Sequence, residues 1–132
     1  MHTKAPFLFM NIIGTWPSGA DTWQKISFPF RKTPFLTWIH ETTLIGSRPA
    51  IGQKMIPVPG TSHRHACIFE REAQWYLDDL GSGEGTWLIE PDQPKQPPIG
   101  PTLIFHGMTV LIGISVVCFE TKAAYSSELM PI

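Results

Sequence analysis

The sequence predicts an all-β fold, a sandwich or barrel built from short strands. Two observations carry this. Thirteen prolines and eleven glycines in 132 residues are poorly tolerated inside long helices and mark frequent turns. Between those turn signals, short apolar runs rich in β-branched and aromatic residues recur, and no window of about a dozen residues carries a helical period.

The elements follow in chain order. Residues 7–13 are apolar apart from Asn11 and stop at Gly14, a first strand. Pro17, Ser18, Gly19 and Asp21 make residues 15–22 a turn cluster. Residues 25–30 place Ile26, Phe28 and Phe30 on one side, a half-buried strand that Pro29 confines to an edge. Residues 35–45 form a further β-rich run, and residues 46–60 read as a loop enclosing a brief strand at Met55 and Ile56. Residues 65–70 and 74–80 flank Arg71-Glu72-Ala73 as a hairpin. Gly81-Ser82-Gly83-Glu84-Gly85 is a tight turn before a strand at 86–89. The five prolines of residues 90–101 predict an extended loop with little hydrogen bonding of its own. Short strands follow at 102–105, 109–112 and 115–120. Residues 1–6 and 122–132 read as tails around one domain at 7–121.

One domain of this length buries a core without staples. Ten basic and eleven acidic side chains give a formal net charge of −1, which lacks the basic excess of a nucleic-acid binder. Any anion site must be local. Cys67 and Cys118 are too few for a secreted disulfide framework and sit in apolar runs, so free buried thiols are expected. The apolar run at 7–13 is too short to span a bilayer and no cleavage site follows it, so no membrane insertion and a cytoplasmic location are expected.

Four pieces of sequence stand in one order: Leu44-Ile45-Gly46-Ser47-Arg48, Ser62-His63-Arg64-His65-Ala66, residues 75–86 ending in Gly85-Thr86, and Leu103 through Gly107 to Val110-Leu111-Ile112-Gly113. Together they resemble the forkhead-associated (FHA) family. Its pattern is an Ile-Gly-Arg strand end, a Ser-x-x-His loop, a Trp-x-Leu-x-Asp-Leu-Gly-Ser-x-Asn-Gly-Thr hairpin and a Leu-x-x-Gly-Asp-x-Ile-x-Ile-Gly element. The resemblance runs from about Phe7 to Thr121. It implies a sandwich of two antiparallel sheets, of the SMAD/FHA type, that presents binding loops at one end and has no catalytic role, no metal and no cofactor.

The implied ligand is a phosphothreonine peptide or partner protein. A phosphothreonine carries nearly two negative charges and three acceptor oxygens, so its site needs a guanidinium, hydroxyls and N–H groups. Carried over, the resemblance points to Ser62, Arg48 and His63 for phosphate, around the Arg slot held by Ser47 and with Arg64 as a further candidate, and to Ser82, Gly83 and Glu84 for the partner chain. Gly46, His65, Gly85 and Thr86 become the structural motif. Three slots depart from the family pattern. Ser47 stands where the family has Arg, with Arg48 one residue later; Gly83 and Glu84 stand where it has Thr and Asn. A carboxylate only accepts hydrogen bonds and carries negative charge towards a dianion.

Two functions stay open on these residues. One is an interaction module that binds a partner, with phosphothreonine as the implied ligand. The other is a structural assembly domain, as in a secretion machine, that has lost phosphate binding. A third arrangement, zinc held by alternating His63, His65 and Cys67, lacks an evident fourth ligand. The glycine-rich turn lacks both the Lys-Ser/Thr and the following helix of a phosphate-binding P-loop.

Overall fold

A computed structural model describes residues 4–17, 19, 37–48, 52, 54–91, 93–98 and 100–123. The strand expected at 25–30 and most of the turn cluster at 15–22 lie outside the described residues.

The described residues form ten strands: β1 (Phe7–Thr15), β2 (Thr37–Ile39), β3 (Thr43–Gly46), β4 (Met55–Pro57), β5 (Ala66–Arg71), β6 (Gln74–Asp79), β7 (Thr86–Ile89), β8 (Thr102–Leu103), β9 (Thr109–Ile112) and β10 (Ser115–Lys122). They build two five-stranded sheets, ordered β2-β1-β10-β9-β7 and β4-β3-β5-β6-β8. All pairings but one are antiparallel. β4 runs parallel to β3, with Leu44 opposite Met55 and Gly46 opposite Pro57. The expected sandwich of two antiparallel sheets holds, with this one parallel pair at the edge of the second sheet. Among the described residues no helix is long and apolar enough to cross a membrane.

Alternation along the strands makes the core. Leu8 and Met10 of β1, Val117 and Phe119 of β10, and Val110 and Ile112 of β9 face inward from one sheet. Ile45, Ala66, Ile68, Trp75 and Leu77 meet them from the other. Trp75 also donates its indole N–H to the carbonyl of Pro6, tying β6 to the entry of β1. A buried Trp needs such a partner for its one polar atom.

A second apolar cluster lies on the outer side of the first sheet. Ile89, Leu111 and Val116 are buried there, with Ile13, Trp16 and Trp87 packed against them. β1 serves both clusters by ordinary alternation, with Ile12 packed on the first and Ile13 on the second, and its register with β10 shifts between Ile12 and Gly14. A bulge of this kind re-aims the following side chains.

The β5–β6 hairpin closes on Glu72 and Ala73, with φ of 52° and 62°. Both lie in the left-handed region that two-residue hairpin turns require, although neither is the usual Asn or Gly. Cys67 and Cys118 are free but only half-buried. They alternate with the inward residues of β5 and β10, so the thiols are free as expected and their burial is only partial. Partial burial still pushes both thiols above their ordinary value, with Asp78 adding to Cys67 and Glu120 to Cys118.

The proline loop also departs from expectation. Gln96 exchanges both main-chain hydrogen bonds with Leu88 of β7. Lys95 stands over Trp87 and Trp16, its Nζ 4.7 Å and 5.6 Å from their ring centroids. Residues between prolines keep their N–H groups, and that of Gln96 pairs with the edge of β7 at Leu88.

Candidate functional site

Three connections meet at one end of the sandwich: β3 to β4, the segment before β5, and β6 to β7. Gly46 ends β3 where the chain passes closest to the second connection. A Cβ there would overlap the main chain of His63, so only glycine fits. Beyond Gly46, the N–H of Ser47 donates to the carbonyl of Ser62 over 3.0 Å, and that of Arg48 to the carbonyl of His63 over 3.5 Å. These two bonds lie outside the β3–β5 register and carry Ser47 and Arg48 beside Ser62 and His63.

His65 joins the second connection to the third. Its ring is fully buried. The Ser62 N–H donates to Nδ1 over 3.1 Å, and Nε2 lies 2.8 Å from the Gly85 carbonyl. Nδ1 therefore accepts, and Nε2 carries the proton and donates. Both nitrogens are engaged, which removes His65 from the zinc arrangement. His63 is exposed and the Cys67 thiol donates to the carbonyl of Ile68. Among the described residues no three His, Cys, Asp or Glu side chains cluster to hold a metal ion.

The third connection is closed from within by Asp79. Its Oδ2 accepts from the N–H groups of Gly81 and Ser82, at 3.0 Å and 3.1 Å. Its Oδ1 accepts from the hydroxyls of Ser82 and Thr86, both at 2.7 Å. Ser82 Oγ in turn accepts from the Gly85 N–H at 2.9 Å. Partial burial pushes the Asp79 carboxyl up, but the hydrogen bonds from Thr86 and Ser82 outweigh it and hold the group below its ordinary value. Gly85 reaches its place at φ of 82°, a conformation that suits glycine. The Trp87 indole N–H donates to the carbonyl of Glu84 and pins the tip of the turn.

Ser62 is where the three connections converge. Its carbonyl accepts from Ser47, its N–H reaches His65, and its Oγ accepts from the Gly83 N–H at 3.3 Å. Among the described residues no acceptor takes the Ser62 hydroxyl hydrogen, which leaves it available to donate.

The candidate residues divide by surroundings. Ser47, Arg48, His63, Arg64, Gly83 and Glu84 are exposed around half-buried Ser62. Arg64 lies near enough to the Cys67 thiol to oppose the upward push of burial and Asp78, so its charge sits towards the start of β5. The Ser82 hydroxyl is engaged inside its own turn. Gly46, His65 and Thr86 are buried and Gly85 half-buried, as a structural motif requires. Asp79 was absent from the sequence-derived candidates. Its match to the Asp of the family's Asp-Leu-Gly-Ser pattern was the signal, but its role depends on the turn's closure, which brings it four hydrogen bonds from residues two to seven positions away.

Comparison with known proteins agrees with this geometry. The model of the FHA domain family matches residues 43–113. Zeaxanthin epoxidase, chloroplastic, of Prunus armeniaca is 36% identical over 74 residues, 54% of this chain and 11% of that protein's length. The chain spans only that small part of the relative. The solution structure of the FHA domain of an Arabidopsis thaliana hypothetical protein superposes with a TM-score of 0.63, at 18% identity, over 94% of this chain and 93% of that one. Mycobacterium tuberculosis EmbR, in complex with a low-affinity phosphopeptide, superposes with a TM-score of 0.58, at 16% identity, over 90% of this chain and 25% of its own.

Proposed function

This chain belongs to the FHA domain family, and on that premise we propose that it is a non-catalytic protein-interaction module that takes a phosphothreonine-bearing segment of its partner at the Ser62 end of the sandwich. One observation carries the reading. His65, Asp79 and the main-chain bonds of Ser47 and Arg48 hold three connections around Ser62 and leave its hydroxyl hydrogen to donate, with Arg48 and His63 exposed beside it.

The chemistry fits a dianion. A serine hydroxyl, a guanidinium and an imidazole can converge on phosphate oxygens, and each hydrogen bond to a charged group contributes about 1.5–3 kcal/mol. Ser82 supports the turn rather than the ligand, so Gly83 and Glu84 are the residues offered to the partner chain. The proposed compartment is the cytoplasm, which free thiols at Cys67 and Cys118 support.

A second reading is favoured by Ser47 and Glu84. The first removes the family's guanidinium from its slot, and the second brings a carboxylate to the rim. On this reading the same loops bind a partner without phosphate, as an assembly domain of the secretion-machine kind. Titration with a phosphothreonine peptide library and its unphosphorylated counterpart separates the two. Binding confined to the phosphorylated library supports the first reading. Equal binding of both, or none, overturns it.

A further inference from the structure

The segment from Gln93 to Pro98 is constrained at nearly every position. Prolines fix φ near −65° at 94, 97 and 98. The residues before them, Gln93, Gln96 and Pro97, are restricted to extended or polyproline II conformations. Lys95 alone escapes both constraints, and it is held by the faces of Trp87 and Trp16. Gln96 is anchored by its two main-chain hydrogen bonds with Leu88, and the N–H of Gln93 closes a turn on the carbonyl of Glu90.

Exposure along this segment repeats every three residues. Lys95 and Pro98 are half-buried, while Gln93, Pro94, Gln96 and Pro97 are exposed. Three residues per turn is the period of polyproline II. One edge of the ridge therefore rests on the sandwich. The other two edges, Gln93 with Gln96 and Pro94 with Pro97, face outward. Two x-Pro pairs at a spacing of three are what paired aromatic grooves accept, and a preformed ridge loses little entropy on docking.

We propose that this ridge is a second interaction surface, which docks a partner domain of SH3 type through its paired x-Pro grooves. The ridge contains none of the residues proposed for phosphate and does not require phosphate. Lys95 is engaged by the two tryptophans, so recognition relies on the x-Pro pairs and not on a basic flank. The structure supplies the orientation: the anchored edge carries Lys95 and Pro98, and the outward edges carry Pro94 and Pro97.

The test uses the 15N-labelled full chain titrated with a panel of purified SH3 domains, with purified WW domains as a separate arm. The expected result is saturable shifts at Gln93, Lys95 and Gln96 with an SH3 domain, while Ser62 and Gly83 stay unmoved. Changing Pro94→Ala and Pro97→Ala together should weaken binding at least about tenfold. Unchanged Leu88 and Trp87 signals will certify that this variant keeps its fold. Lys95→Ala, which frees the ridge and leaves its prolines, should weaken binding by a smaller factor. As a measure independent of any variant, a free peptide of residues 90–101 should compete more weakly than the chain itself. Binding by WW domains alone, shifts confined to the Ser62 end, a peptide that competes as well as the folded chain, or no shift with any domain would overturn the proposal.

Discussion

The main-chain N–H of Ser62 donates to Nδ1 of His65 over 3.1 Å, so the residue at the centre of the candidate site is held by a fully buried imidazole. The same ring reaches the carbonyl of Gly85. One side chain therefore fixes the distance between the Ser62 segment and the β6–β7 turn.

Replacing His65 with Ala should leave both the Ser62 N–H and the Gly85 carbonyl without a partner, at a cost of about 3 kcal/mol. Urea unfolding measures the loss. Faster hydrogen exchange at Ser62 would locate it. Equal stability in the two proteins would show that the imidazole is not the brace.

Ser62→Ala separates binding from folding. The Oγ accepts only from the exposed Gly83 N–H, so the stability cost should be about 1 kcal/mol or less. Phosphopeptide affinity should fall roughly tenfold or more, the effect of losing one hydrogen bond to a charged group. Isothermal titration with a phosphothreonine peptide that binds the unaltered chain reads this directly.

Ser47→Arg restores the guanidinium to the slot in which the family carries it. Affinity for the same peptide should rise by about tenfold, and the rise should shrink with added salt. Arg48→Ala should weaken the unaltered chain and matter less once residue 47 is Arg. An Arg48→Ala change with no effect on binding would remove Arg48 from the phosphate contacts.

Asp79 gives the fold an acid limit. Its carboxyl lies below the ordinary value of 3.8 in the folded chain. The ionised form is thus the one that folding favours. Its contribution is present in full above 3.8 and is lost as the pH falls through the lower folded value. Asp79→Asn should therefore flatten the acid limb of stability below that pH. Unfolding measured across the acid range in both proteins checks it; parallel curves would assign acid sensitivity to other carboxyls.

Much of the fold was legible because local and distant constraints coincide in the same residues. Gly46 is glycine for lack of space beside His63, and His65 is histidine because two loops need one acceptor and one donor. The parallel β3–β4 pair was not legible, since a three-residue strand inside a proline-containing loop does not announce its direction. The same holds for Gln96, whose pairing with Leu88 depends on how the loop folds back. The outer cluster of Trp16 and Trp87 was hidden for a further reason. Its strands carry apolar residues on both faces, and periodicity cannot say which face meets the core.

The braces and the exposed side chains at the Ser62 end form two separate sets. His65, Asp79 and Thr86 hold the loops, while Ser47, Arg48, His63, Gly83 and Glu84 carry little of that task through their side chains. Those five positions can therefore be randomised together without dismantling the frame. The domain is suited to display: a library at these sites would sample new ligand preferences on one unchanging support.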